Sequence, residues 1–188
     1  MSWYLYYRSQ VYARIVHFYA NMFCLYARSV IPNYDMSKTN NPNKILKSFQ
    51  ETVDELDKMR LQQEWYPIIL TNFIQDVSYN FWIEDDDGVF VLPWPADSAR
   101  ITGKYMTGEF AFAIDATYLR SHQELIEYFP EIFDELYRNY QSTSEKWQPV
   151  PEEYSMCSKY RSEDTETALG PLMPMANSII NLLDLEDI

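Results

Sequence analysis

Residues 5–28 constrain this chain more than any other stretch. At about 100° per residue, Gln10, Arg14, His17, Asn21 and Arg28 fall along one line. Leu5, Val11, Tyr12, Ile15, Val16, Phe18, Tyr19, Met22, Phe23, Leu25 and Tyr26 fill roughly the other half of the wheel. A helix with so wide an apolar face has to lean on something large. Phe18 and Met22 lie at the middle of that face and are expected to be buried. Pro32 is expected to end the helix.

What the helix leans on bears on function. A membrane span needs about 20 apolar residues. Only 13 separate Arg14 from Arg28, and His17 and Asn21 interrupt them. A signal peptide wants its charge at the start and small residues at the cleavage site. Here Arg8 sits well inside, and Leu25-Tyr26-Ala27-Arg28-Ser29 is a poor site. Aromatic and basic residues together can stack nucleic-acid bases, but on this helix they lie on opposite sides. Two readings remain: the helix runs through the centre of a domain, or it offers one flank to another chain.

Charge sharpens the contrast. No acidic residue precedes Asp35, so the three arginines before it give that segment +3. The rest must carry −16 to reach the net −13 of the 188 residues. A body this acidic repels nucleic acid and anionic membranes and attracts basic surfaces. Two cysteines, Cys24 and Cys157, make no disulfide framework and suit a reducing, cytoplasmic compartment. If the chain is viral, that compartment is the host cytoplasm. A length of this order buries enough surface to need neither metal nor disulfide.

Residues 37–44 read as a loop, and an amphipathic helix is expected from Asn43 to Glu64. From Tyr66 to Phe81 apolar residues recur at three and four, so residues 66–83 are expected to be helical. Phe81–Trp94 reads as two strands joined at the turn Asp86-Asp87-Gly88. Phe110, Phe112 and Ile114 alternate as a half-buried strand does. Ser121 with Glu124 forms a capping box that predicts a helix start. Pro130 either kinks that helix or starts a second one. Residues 1–145 thus form one α+β domain: N-terminal helices, a small antiparallel sheet and a helix. Residues 146–188 read as an extended arm and an apolar–acidic C-terminal segment packed on the domain or on a partner.

No catalytic motif emerges. Gly103-Lys104 lacks the glycine spacing of a phosphate-binding loop, and no nucleophile elbow occurs. His17 and His122 lack cysteines or acids at metal-ligand spacing. Glu84-Asp85-Asp86-Asp87 fits a solvated hairpin turn better than a calcium loop. No cofactor, metal or catalytic residue is expected, and the chain reads as a non-enzyme.

Two features point to partners. Glu124, Glu127, Glu131, Asp134 and Glu135 fall within about a third of a helical wheel, opposite Phe133 and Leu136. On one continuous helix they would spread over about 17 Å, a row able to imitate phosphates toward a basic cleft. Leu182, Leu183 and Leu185, beside Asp184 and Glu186, form an apolar–acidic tail suited to packing or docking. Leu182–Glu186 also resembles a clathrin-box peptide. The expected function is non-catalytic protein binding, in its sharpest form an inhibitor or antagonist, of anti-defence or immunity type, that occupies a basic, nucleic-acid-binding-like surface. It would not bind nucleic acid directly, nor a membrane. One alternative is a structural subunit of a homo-oligomer or larger assembly, for example viral. Another is an enzyme with a site of scattered carboxylates and tyrosines.

Overall fold

A computed structural model describes residues 2–24, 31, 42–58, 61–85, 88–122, 130–161, 163 and 168–186. The fold is α+β, as the sequence predicts. Among the described residues four helices come first: α1 (Ser2–Arg8), α2 (Gln10–Cys24), α3 (Pro42–Lys58) and α4 (Leu61–Gln75). The strands β1 (Val77–Asp85), β2 (Gly88–Trp94), β3 (Ala99–Lys104) and β4 (Phe110–Asp115) follow. Then come α5 (Ala116–Ser121), α6 (Glu131–Thr143), β5 (Trp147–Pro149), β6 (Ser155–Lys159) and α7 (Ala176–Glu186).

The long N-terminal helix is interrupted at Ser9. Its hydroxyl accepts from the Tyr12 amide at 3.2 Å, so it caps α2 and leaves α1 as a separate helix. The stretch expected to continue to Arg28, and the stop at Pro32, lie outside the described residues. So does most of the loop at 37–44. The apolar phase also differs from expectation. The buried residues of α1 and α2 are Leu5, Tyr12, Val16 and Ala20, with Ser9 buried between the two helices. Phe18 and Met22, expected inside, are 62% and 41% exposed. The wide apolar face has two flanks, and the domain uses only one of them.

The helix expected over 66–83 stops at Gln75. Asp76 then takes φ +73°, a left-handed conformation that ends a helix, and β1 begins at Val77. Phe73, Val77 and Phe81 are spaced by four, and four residues return to the same face of a helix and of a strand alike. The hairpin is as expected, with Asp85 paired to Gly88. Ser121 ends a helix rather than starting one. The start lies earlier, where the Asp115 carboxylate accepts from the Thr117 amide at 3.0 Å. The Ser121 hydroxyl turns back to the Thr117 and Tyr118 carbonyls.

The strand order is β2-β1-β6-β4-β3, with every neighbouring pair antiparallel. Residues 155–159 therefore lie inside the sheet between β1 and β4, and β5 pairs with β4 as well. This corrects the expectation of an extended arm for that stretch. Two such short strands, β5 and β6, carry little strand signal alone, and pairing with β4, and for β6 with β1 as well, supplies what propensity does not. The outermost strands are closed by local groups. The Val91 amide of β2 donates to the Glu64 carboxylate at 3.4 Å. On β3 the Ala99 amide donates to the Ala96 carbonyl, and the Ile101 backbone hydrogen-bonds the Tyr79 hydroxyl.

Two cores result. One lies between the sheet and α5–α6, where Phe81 meets Phe133 at 4.5 Å between ring centroids and Trp94 stacks on Phe133 at 5.2 Å. The other gathers Leu5, Tyr12, Val16, Phe73, Ile74, Ala176 and Ile179 from α1, α2, α4 and α7. Gly170 leads the chain into that second core. A Cβ there would collide with the Ile74 carbonyl, so only glycine fits.

Candidate interaction surface

The acidic row rests on α6. Pro130 has ψ 152°, an extended conformation, so α6 begins there and does not continue upstream. The single helix that would carry five carboxylates over about 17 Å is therefore broken at Pro130. Glu124 and Glu127 lie outside the described residues. Glu131, Asp134 and Glu135 are all exposed, while Ile132, Phe133 and Leu136 anchor the other side of the helix in the core. Asp134 pairs with Arg138 at 3.3 Å, four residues on. Both side chains are more than half exposed, so the pair contributes little. It does lower the net charge of this face.

The tail residues Leu182, Leu183 and Leu185 belong to α7, so the stretch resembling a clathrin box is helical here. Their side chains lie outside the described residues. The first turns of α7 pack on the chain's own helical core through Ala176 and Ile179.

A third surface is the helix flank that the sequence leaves open to another chain. Along α2, Val11, Phe18 and Met22 are 48%, 62% and 41% exposed, and Ile15 between them is half-buried. Tyr4 and Tyr7 of α1 are exposed too. The signal was present in the double width of the apolar arc, but which flank α4 would cover depends on tertiary packing.

Two hollows open beside the α4–β1 junction. A hollow of about 740 Å³ is lined by Gln75, Val77 and Tyr79, by Ala96, Asp97 and residues 99–103, and by Lys159 and Ala168. A second of about 420 Å³ shares Gln75, Tyr79, Ala96 and Asp97 with it and adds Trp3, Trp94 and two prolines. Lys159 is almost wholly buried in an ion pair with the fully buried Asp76. Asp76 also accepts from the Arg161 amide at 3.0 Å through its side chain and from the Tyr160 amide at 2.8 Å through its carbonyl. Removing one member of such a pair strands the other without water. Its clearest role is structural, locking the α4–β1 junction to the end of β6. Arg100 lies over the Trp147 ring, 4.5 Å from its centroid.

The titratable groups tell a similar story. Burial pushes the Cys157 thiol up to about 12, against a weaker pull from Lys159, so it stays protonated and unreactive near neutral pH. Burial, then the nearby Cys157, pushes the Tyr79 hydroxyl up to about 12. Burial works to raise the Asp115 carboxyl, but hydrogen bonds from Thr117 and Lys146 outweigh it and lower its pKa. His17, on the polar line of the helix, is hydrogen-bonded: its ring nitrogens meet Tyr6 Oη at 2.9 Å and Tyr66 Oη at 2.5 Å, which ties α1, α2 and α4 together. Among the described residues no group of three His, Cys, Asp or Glu side chains is placed to hold a metal ion. No helix among them is long and apolar enough to cross a membrane.

The chain matches no protein-family model, no curated protein and no solved structure.

Proposed function

We propose that this protein is a non-catalytic binding module that occupies a basic protein surface of the kind that holds nucleic acid, acting as an inhibitor or antagonist. The observation that carries this reading is the outer face of α6. Glu131, Asp134 and Glu135 project from a helix whose inner face is fixed by Phe133 against Phe81 and Trp94. Carboxylates on a rigid support lose little freedom on meeting a cationic partner. The net charge of −13 adds a long-range field that draws such a partner in.

The test begins with a pull-down on the immobilised chain, washed at low and at high salt. Association kinetics of the captured partner then follow, with the parent and with the triple variant Glu131→Gln, Asp134→Asn, Glu135→Gln. The variant keeps its core contacts and is expected to fold. Its association is expected to slow and to lose much of its salt dependence, because steering by charge acts mainly on the on-rate. Duplex DNA is expected to compete with the parent for the partner. Association rates unchanged at both ionic strengths would remove the acidic-face reading.

A second reading, a structural subunit of a larger assembly, is favoured by the exposed flank of α2. A docked subunit would leave such a flank uncovered in the single chain.

A further inference from the structure

Four apolar residues of α2, three exposed and one half-buried, follow a rule of their own. Val11, Ile15, Phe18 and Met22 are spaced by four, three and four. That is the spacing with which apolar residues line the seam of a two-stranded coiled coil. The seam is outside the domain, since Val11, Phe18 and Met22 are all more than two-fifths exposed. Its opposite flank, Tyr12, Val16 and Ala20, is wholly buried, so α2 is held firmly with the seam turned outward.

We infer that this seam pairs α2 with α2 of a second copy of the chain, antiparallel across a two-fold axis. The spacing reads the same in both directions. In the antiparallel pair Val11 faces Met22 of the second copy, and Ile15 faces Phe18 of the second copy, so every seam residue finds an apolar counterpart. A two-fold contact needs this kind of self-complementary patch.

Charge selects the same face. Two copies of a chain carrying −13 repel wherever their acidic bodies meet. From Ser2 to Cys24 there is no acidic residue. Arg14 and Asn21 flank the seam on its solvent side, and the flank toward α4 is made of aromatics, Tyr12 and Tyr19. The α1–α2 face is thus where two copies approach without setting carboxylate against carboxylate. The contact spans about 17 Å of helix. So short a contact suits a reversible dimer that depends on concentration. The pairing stands apart from the acidic-face reading and leaves both copies of α6 uncovered by it.

Sedimentation equilibrium of the full chain across a wide concentration range tests this, together with Phe18→Asp. The parent is expected to pass from monomer to dimer. The variant is expected to remain monomeric with an unchanged melting temperature, because Phe18 packs little in its own chain. Orientation is read by cysteine cross-linking in a Cys24→Ser background. A mixture of Val11→Cys and Met22→Cys chains is expected to form the mixed disulfide, and neither variant alone is expected to cross-link. A parent monomeric at every concentration would overturn the inference. So would a dimer that survives Phe18→Asp, or cross-links only between like positions.

Discussion

Phe18 and Phe133 are the same residue with opposite fates. Phe133 is fully buried, its ring against Phe81 and Trp94. Phe18 is mostly solvated and touches its neighbour Tyr19 edge-on. Phe133→Ala is expected to lower stability by about 3–5 kcal/mol, the usual loss for emptying a packed aromatic site. Phe18→Ala is expected to change it by less than about 1 kcal/mol, as for most surface substitutions. Denaturant unfolding of both variants checks this, and a large loss at Phe18 would contradict the exposed seam. Hydrophobicity alone could not separate the two residues, because both lie on apolar arcs of amphipathic helices. Similarly, nothing local marks Asp76 and Lys159 as partners. They lie far apart in sequence, and only the insertion of β6 beside β1 brings them together.

At the scale of elements, legibility tracks how local the cause is. The β1–β2 hairpin was legible because turn chemistry and alternation sit within a few residues of each other. The capped start of α2 at Ser9 and the end of α4 at Asp76 were not, because one side chain in each case outweighs a continuous apolar pattern. β6 was hidden because its strand character comes from neighbours distant in sequence. At the start of α7, Ala176 and Ile179 pack in the helical core, while the side chains of Leu182, Leu183 and Leu185 lie outside the described residues. Removing residues 179–188 is therefore expected to lower the melting temperature. Ile179→Ala alone is expected to cost about 2–5 kcal/mol. An unchanged melting temperature in both would mean that α7 adds nothing to the helical core.

For the whole molecule, the question is whether two cores make two folding units. α4 ends in the helical core and turns at Asp76 straight into β1, which runs through the sheet core. The buried Asp76–Lys159 pair fastens that junction to β6. The two cores are therefore expected to unfold as one. Tryptophan fluorescence of a variant with Trp3, Trp65, Trp82 and Trp147 changed to phenylalanine, which leaves Trp94 to report the sheet core, and far-UV circular dichroism, which reports mainly helices, are expected to give coincident guanidinium transitions. Separate midpoints would show that the cores open independently. Acid should weaken the whole through Asp115. Its folded pKa is lowered, so its contribution is complete above the unfolded value of about 3.9 and is lost as pH falls through the folded one.

The helical core joins residue 5 to residue 179, with Leu5 packed in one cluster with Ala176 and Ile179. During synthesis the N-terminal helices emerge long before the helix that completes their cover. Until α7 is made, Leu5, Tyr12 and Val16 wait without their final neighbours. β1 likewise waits for β6. Such distant closures delay folding until most of the chain has left the ribosome, and they leave apolar surface open to chaperones meanwhile. A chain cut short before α7 would keep that surface uncovered.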